Sequence, residues 1–107
     1  MDNVFSSADE LPLFPGGIVD LRKAIANSVV YPAEARRREI QGRVYVGFVI
    51  MEDGYIDGIT VVKSVDPILD EAAIEAVKSF EYKWEPAKIN GKNVRFFYTV
   101  PINFSLI

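Results

Sequence analysis

The sequence predicts a two-layer α+β domain: a three-stranded antiparallel or mixed sheet in the order second-first-third, with two main helices on one face. Three observations carry this. Apolar residues recur at helical spacing over Ile18 to Val29 and over Leu69 to Phe80. They alternate with period two over Val44 to Ile50 and over Val94 to Val100, and Glu52-Asp53-Gly54 supplies a tight turn after the first alternating run. The order helix, hairpin, helix, strand then places the last strand beside the first, on its free side.

Met1 to Gly17 mixes Ser, Asp, Pro and Gly without a period and reads as an arm or linker end, with Phe14 available to dock on the core. Residues 18–107 form the folded domain. The first helix follows Gly16-Gly17 and sets Ile18, Leu21, Ala24, Ile25 and Val29 on one side, with Asp20, Arg22 and Lys23 on the other. Pro32 ends it, because a proline ring disfavours helical geometry in the residue before it. Proline suits the first turn of a new helix, so a short one is expected from Ala33 to Glu39.

After Gly42, residues Val44, Val46, Phe48 and Ile50 give the first strand a strongly buried face, and Tyr55 to Ser64 returns as its antiparallel partner. Asp66-Pro67 opens the second main helix, in which Leu69, Ala73, Val77 and Phe80 share a face and small alanines permit close approach to a sheet. Trp84 and Pro86 lead out of that helix, with Trp84 expected as a lid over the core. Asn90-Gly91 marks a turn into the last strand.

Composition narrows the function. A chain of 107 residues, half of them apolar, is one small domain. The chain contains neither cysteine nor histidine, which removes thiolate and imidazole metal sites and the common nucleophile arrangements. The net charge of −3 offers no global attraction for nucleic acid. Six of the 12 basic residues do lie between Arg22 and Arg43, including Arg36-Arg37-Arg38; they form either a solvated helix end or an anion-binding patch. No apolar run approaches the roughly 18 residues of a membrane span.

Glu52, Asp53, Asp57 and Asp66 lack the ligand spacing of a calcium loop, and the glycine pairs lack the lysine of a phosphate loop. The carboxylate pairs Asp70/Glu71 and Glu81/Glu85 are expected at exposed helical positions, unsuited to acid-base catalysis. No enzyme, cofactor or metal is expected. The last strand is expected to be a sheet edge, with Arg95, Phe97 and Thr99 facing solvent beside Pro101. Taken alone, these residues fit an edge that accepts an incoming strand as well as they fit a covered second face or a self-association contact.

The phrases Tyr31-Pro32, Gly42-Arg43-Val44-Tyr45-Val46-Gly47-Phe48, Asp53-Gly54, Leu69-Asp70, Trp84-Glu85-Pro86, Asn90-Gly91-Lys92 and Val100-Pro101-Ile102-Asn103-Phe104 follow one another in fixed order. In this order and spacing the chain resembles the C-terminal domain of TonB energy transducers, in the variety carrying Phe14-Pro15-Gly16-Gly17 ahead of the first helix. The resemblance implies a TonB/TolA-type fold and a non-catalytic periplasmic adaptor of a Gram-negative cell. It also implies an upstream inner-membrane anchor and Pro-rich linker, so that Met1 is not expected to be the native start, and a motor of the ExbB/ExbD type as partner of the anchored part. The domain would grip outer-membrane TonB-dependent transporters by pairing their TonB box with its last strand, here Asn93, Val94, Arg95, Phe96, Phe97, Tyr98, Thr99 and Val100.

A second family contact surrounds the Tyr-Pro motif, which here gives Tyr31, Pro32, Glu34, Arg36, Arg37 and Arg38. Relatives carry Gln three residues before that Tyr and a basic residue two after the Pro, where this chain has Ser28 and Glu34. Glu34 would therefore require a basic partner. A peptidoglycan-binding structural module using Arg36 to Arg38, with the edge closed or paired in a homodimer, is the alternative; a hydrolase or inhibitor on the same shell is a more distant one.

Overall fold

The computed structural model describes residues 3–80 and 82–106, so the expectation for Glu81 lies outside the described residues. The elements in chain order are β1 (Val4–Phe5), α1 (Ile18–Ser28), α2 (Ala33–Arg37), β2 (Gly42–Ile50), β3 (Ile56–Lys63), α3 (Pro67–Lys78), β4 (Ala87–Ile89) and β5 (Lys92–Phe104). The expected second-first-third order is observed as β3-β2-β5, with β2 antiparallel to both neighbours. Two strands were not expected. β1 adds to β5 in parallel, and β4 forms a hairpin with the start of β5. Both are too short to show a period.

Alternation in β2 and β5 makes the core. Val44, Val46, Phe48 and Ile50 of β2 and Val100, Ile102 and Phe104 of β5 are buried against Leu69, Ala73 and Val77 of α3 and Leu21 and Ala24 of α1. Burying one such aliphatic or aromatic side chain contributes about 1.5–3 kcal/mol, so this shared face supplies most of the driving force. Asp66 caps α3 by accepting the Ile68 N–H at 2.9 Å, with Pro67 at the first helical position. Asp70, expected to be exposed, is half-buried and accepts the Val65 N–H at 3.2 Å, which ties α3 to the chain leaving β3.

Some boundaries differ for local reasons. α2 stops at Arg37 rather than Glu39, because Glu39 takes a positive φ of 55° that ends the helix. β3 starts at Ile56 because the Tyr55 N–H is spent on Asp53 Oδ1 at 3.0 Å, inside the turn. That turn is fastened to the core: Trp84 donates its backbone N–H to the Gly54 carbonyl at 2.9 Å, and a Cβ at Gly54 would meet the Trp84 carbonyl oxygen at 2.1 Å.

Trp84 is 2 % exposed and meets Phe14, Phe48 and Tyr98 at ring separations of 5.1, 5.8 and 5.1 Å. Phe14 therefore docks, and the chain ahead of it is a strap rather than a loose arm. Glu10 and Lys88 exchange backbone hydrogen bonds at 3.0 and 2.9 Å, and Leu13 and Glu85 do so at 3.0 and 2.8 Å. Among the described residues no helix is long and apolar enough to cross a membrane.

Candidate partner-binding edge

β5 is the site expected from the sequence, and its register with β2 is unbroken from Gly42↔Phe104 to Ile50↔Phe96. Pro101 lies within this ladder, opposite Tyr45. Proline has no N–H to donate, so it is tolerated in a sheet only where that position faces away from the neighbouring strand. The backbone groups of Pro101 therefore face the side opposite β2. By alternation those of Phe97, Thr99 and Asn103 do the same, and between Phe97 and Phe104 no strand pairs with that side among the described residues.

The open edge is shorter than expected. On that side Arg95 and Phe96 are already paired with Val4 and Phe5 of β1, while Asn93 and Val94 form the hairpin with Lys88 and Ala87 of β4. Within the expected strand Asn93 to Val100, β1 covers Arg95 and Phe96, and the stretch beyond it that is open on the side away from β2 begins at Phe97. The cause is chain connectivity: the Asn90-Gly91 turn folds β4 onto the start of β5, and the strap returns the N-terminal residues to the same strand.

A groove of about 630 Å³ adjoins the open part. Leu21 and Ile25 of α1, with Val29 at its C-terminal cap, form one wall, and Tyr98 to Pro101 form the other. Because consecutive β5 residues from both sheet faces line it, the groove opens at the edge of the strand. Arg22 stands at its rim as a cationic group. Ile18 is 54 % exposed despite its place in the apolar stripe of α1, since it borders this groove instead of the core. The α1 side of the site was missed in the sequence; its one signal is an apolar stripe wider than core contact requires.

Tyr31 also lines the groove, so one residue of the second expected contact joins the first. It is held by three interactions: its hydroxyl donates to the Ile40 carbonyl, its ring meets Phe104 edge-on at 5.6 Å, and the Arg36 guanidinium lies 5.0 Å from its ring centre. Glu34 lies 3.7 Å from Arg38, the residue that caps the end of α2, in an exposed ion pair within the chain. Pro32 supplies the cap position of α2, while Arg37 projects outward and is not brought to the groove.

At the other end of β5, the Arg95 guanidinium donates to Glu52 at 2.8 Å and holds that carboxyl below the usual carboxylate range. On the outer sheet face the Arg43 guanidinium donates to the Tyr45 hydroxyl and lowers its pKa. No cluster of metal-ligating side chains occurs among the described residues. The arrangement offers an extended backbone, apolar side-chain space and a cation, which suit recognition of an extended segment.

The family model described as Gram-negative bacterial TonB protein C-terminal matches residues 27–106. Protein TonB of Helicobacter pylori strain J99 is 43% identical over 63 residues, covering 58% of this chain and 22% of that protein. Protein TonB of Xanthomonas campestris pv. campestris strain B100 is 30% identical over 92 residues, covering 85% of this chain and 40% of that protein. The chain thus spans well under half the length of either relative. Two solution structures of the Helicobacter pylori TonB C-terminal domain, of different lengths, are similar in fold. The longer gives a TM-score of 0.65 at 33% identity, covering 83% of this chain and 79% of that one; the shorter gives 0.60 at 35%, covering 82% and 91%.

Proposed function

The chain belongs to the Gram-negative bacterial TonB C-terminal family, and from that premise we propose that it is a non-catalytic periplasmic adaptor. It binds the TonB box of outer-membrane TonB-dependent transporters by β-strand addition and passes on inner-membrane proton-motive energy for nutrient import. The observation that carries this reading is the open side of β5 from Phe97 to Asn103 beside the α1 groove. An added strand draws affinity from main-chain hydrogen bonds to Phe97 and Thr99 and selectivity from side chains entering the groove. In this reading the folded domain that begins at Ile18 carries the site, and the described residues ahead of it, 3–17, are the strap fastened to it.

The membrane anchor, the ExbB/ExbD-type motor and the transporter belong to this proposal through the family. The cell-wall alternative draws less support from the geometry, since Arg36 is engaged with Tyr31 and Arg38 with Glu34. The test is a titration of the isotope-labelled chain with a TonB-box peptide at several salt concentrations. Amide shifts centred on Phe97 to Asn103 that persist at moderate salt are expected. Shifts confined to Arg36 to Arg38 on adding peptidoglycan fragments, with none on β5, would replace this reading by the alternative.

A further inference from the structure

The first strand of the molecule occupies the strand that the proposed function needs. Val4 pairs with Arg95 and Phe5 with Phe96, in parallel, and Phe96 also pairs with Ile50 of β2. β1 therefore sits on the side opposite β2, in line with the open stretch that starts at Phe97. We propose that β1 is a releasable occupant of this edge, a segment of the chain's own that competes with the incoming transporter strand. This rests on the strand-addition reading and adds its regulation.

Three features make β1 releasable. The pairing spans two residues, far less than a stable strand, and Val4 is 48 % exposed. Phe5 is half-buried, enough to favour the docked position without locking it. The strap is anchored elsewhere: Asp9 accepts the Asn90 N–H at 2.8 Å, Glu10 and Leu13 are bonded to Lys88 and Glu85, and Phe14 is buried. The tip can leave while the anchor stays. The anchor also keeps a detached tip at high effective concentration beside the edge, so a weak pair suffices to close it again.

An incoming strand longer than the open stretch meets β1 at Phe97 and gains the backbone groups of Arg95 only by displacing it. Its apparent dissociation constant is then the intrinsic one divided by the fraction of molecules with the edge free.

The experiment compares the full chain with its Val4→Pro/Phe5→Pro variant, both isotope-labelled and titrated with a synthetic TonB-box peptide. In the unmodified chain, saturation is expected to move the Val4 and Phe5 amides to unstructured positions and to abolish their contacts with Arg95 and Phe96. The variant is expected to bind roughly 3- to 10-fold more tightly, corresponding to an edge closed about two thirds to nine tenths of the time. Val4 and Phe5 still paired at saturation, or a variant that binds equally or more weakly, overturns the proposal and leaves strand addition standing. If neither chain binds the peptide, strand addition fails and this proposal with it. If the variant does not fold, the response of Val4 and Phe5 in the unmodified chain decides alone.

Discussion

The Phe97 ring occupies the space that a side chain at Gly47 would fill: a Cβ there would lie 2.3 Å from Phe97 Cζ and 2.9 Å from Val62 Cγ2. Gly47 is thus required for its missing side chain, and its absence lets a residue of the edge strand reach across β2 towards β3. The seam ties the outer face of the edge to the middle of the sheet. Gly47→Val is expected to cost about 1–3 kcal/mol through overpacking and to shift the Phe97 resonances, as read by urea denaturation and aromatic NMR. Unchanged stability would mean that the ring moves aside freely.

Thr99→Pro separates the fold from the binding edge. The Thr99 N–H faces the open side, so its loss leaves the β2 ladder intact, while Val100→Pro removes a donor that faces β2. Thr99→Pro is expected to keep a native amide spectrum and lose TonB-box peptide binding, with Phe97→Pro behaving similarly; Val100→Pro is expected to unfold much of the sheet. A folded Thr99→Pro chain with full affinity would remove strand addition at this position.

Trp84 is buried among Phe14, Phe48 and Tyr98, and its indole N–H has no hydrogen-bond partner among the described residues. Trp84→Ala is expected to cost about 3–5 kcal/mol. Trp84→Phe should cost much less, because it keeps most of the apolar volume and removes an unsatisfied donor. Chemical denaturation of the two variants checks the ranking.

The Glu52–Arg95 pair predicts a pH response. Its carboxyl is held below the usual range by the Arg95 hydrogen bond, so the pair's contribution is complete above the ordinary carboxylate pKa. It is lost as pH falls through the lowered value. Side-chain carboxyl NMR of Glu52 should show a midpoint that moves up in Arg95→Gln; an unmoved midpoint would assign the shift to another cause.

The sequence exposed what repeats and hid what does not. Alternation across Val44 to Ile50 and Val94 to Val100 sufficed for the sheet order, and Asp66-Pro67 located the start of α3 within a residue. β1 and β4 have two and three residues, so no period could form, and they pair only because a distant segment is brought alongside. The site was half legible for the same reason. The alternation of Val94 to Val100 marked an edge strand and the family resemblance supplied its partner-binding role, whereas the closure of Arg95 and Phe96 depends on Val4 and Phe5, far away in the chain. The groove wall of Leu21, Ile25 and Val29 depends on how α1 settles beside β5, which helical spacing alone does not encode. Tyr31 joined the edge through its contact with Phe104, a relationship no local motif contains.

The strap also defines a load path. Tension applied at the N-terminal end would first peel the two-residue β1 pair and then reach the backbone bridges of Glu10 to Lys88 and Leu13 to Glu85, with Phe14 wedged behind them. From Lys88 the force passes through the β4 hairpin directly into β5, the strand on which a partner would hang, bypassing α1 and α2. Pulled this way, the molecule works as a short tether with a sacrificial first link, and the helical layer is left slack.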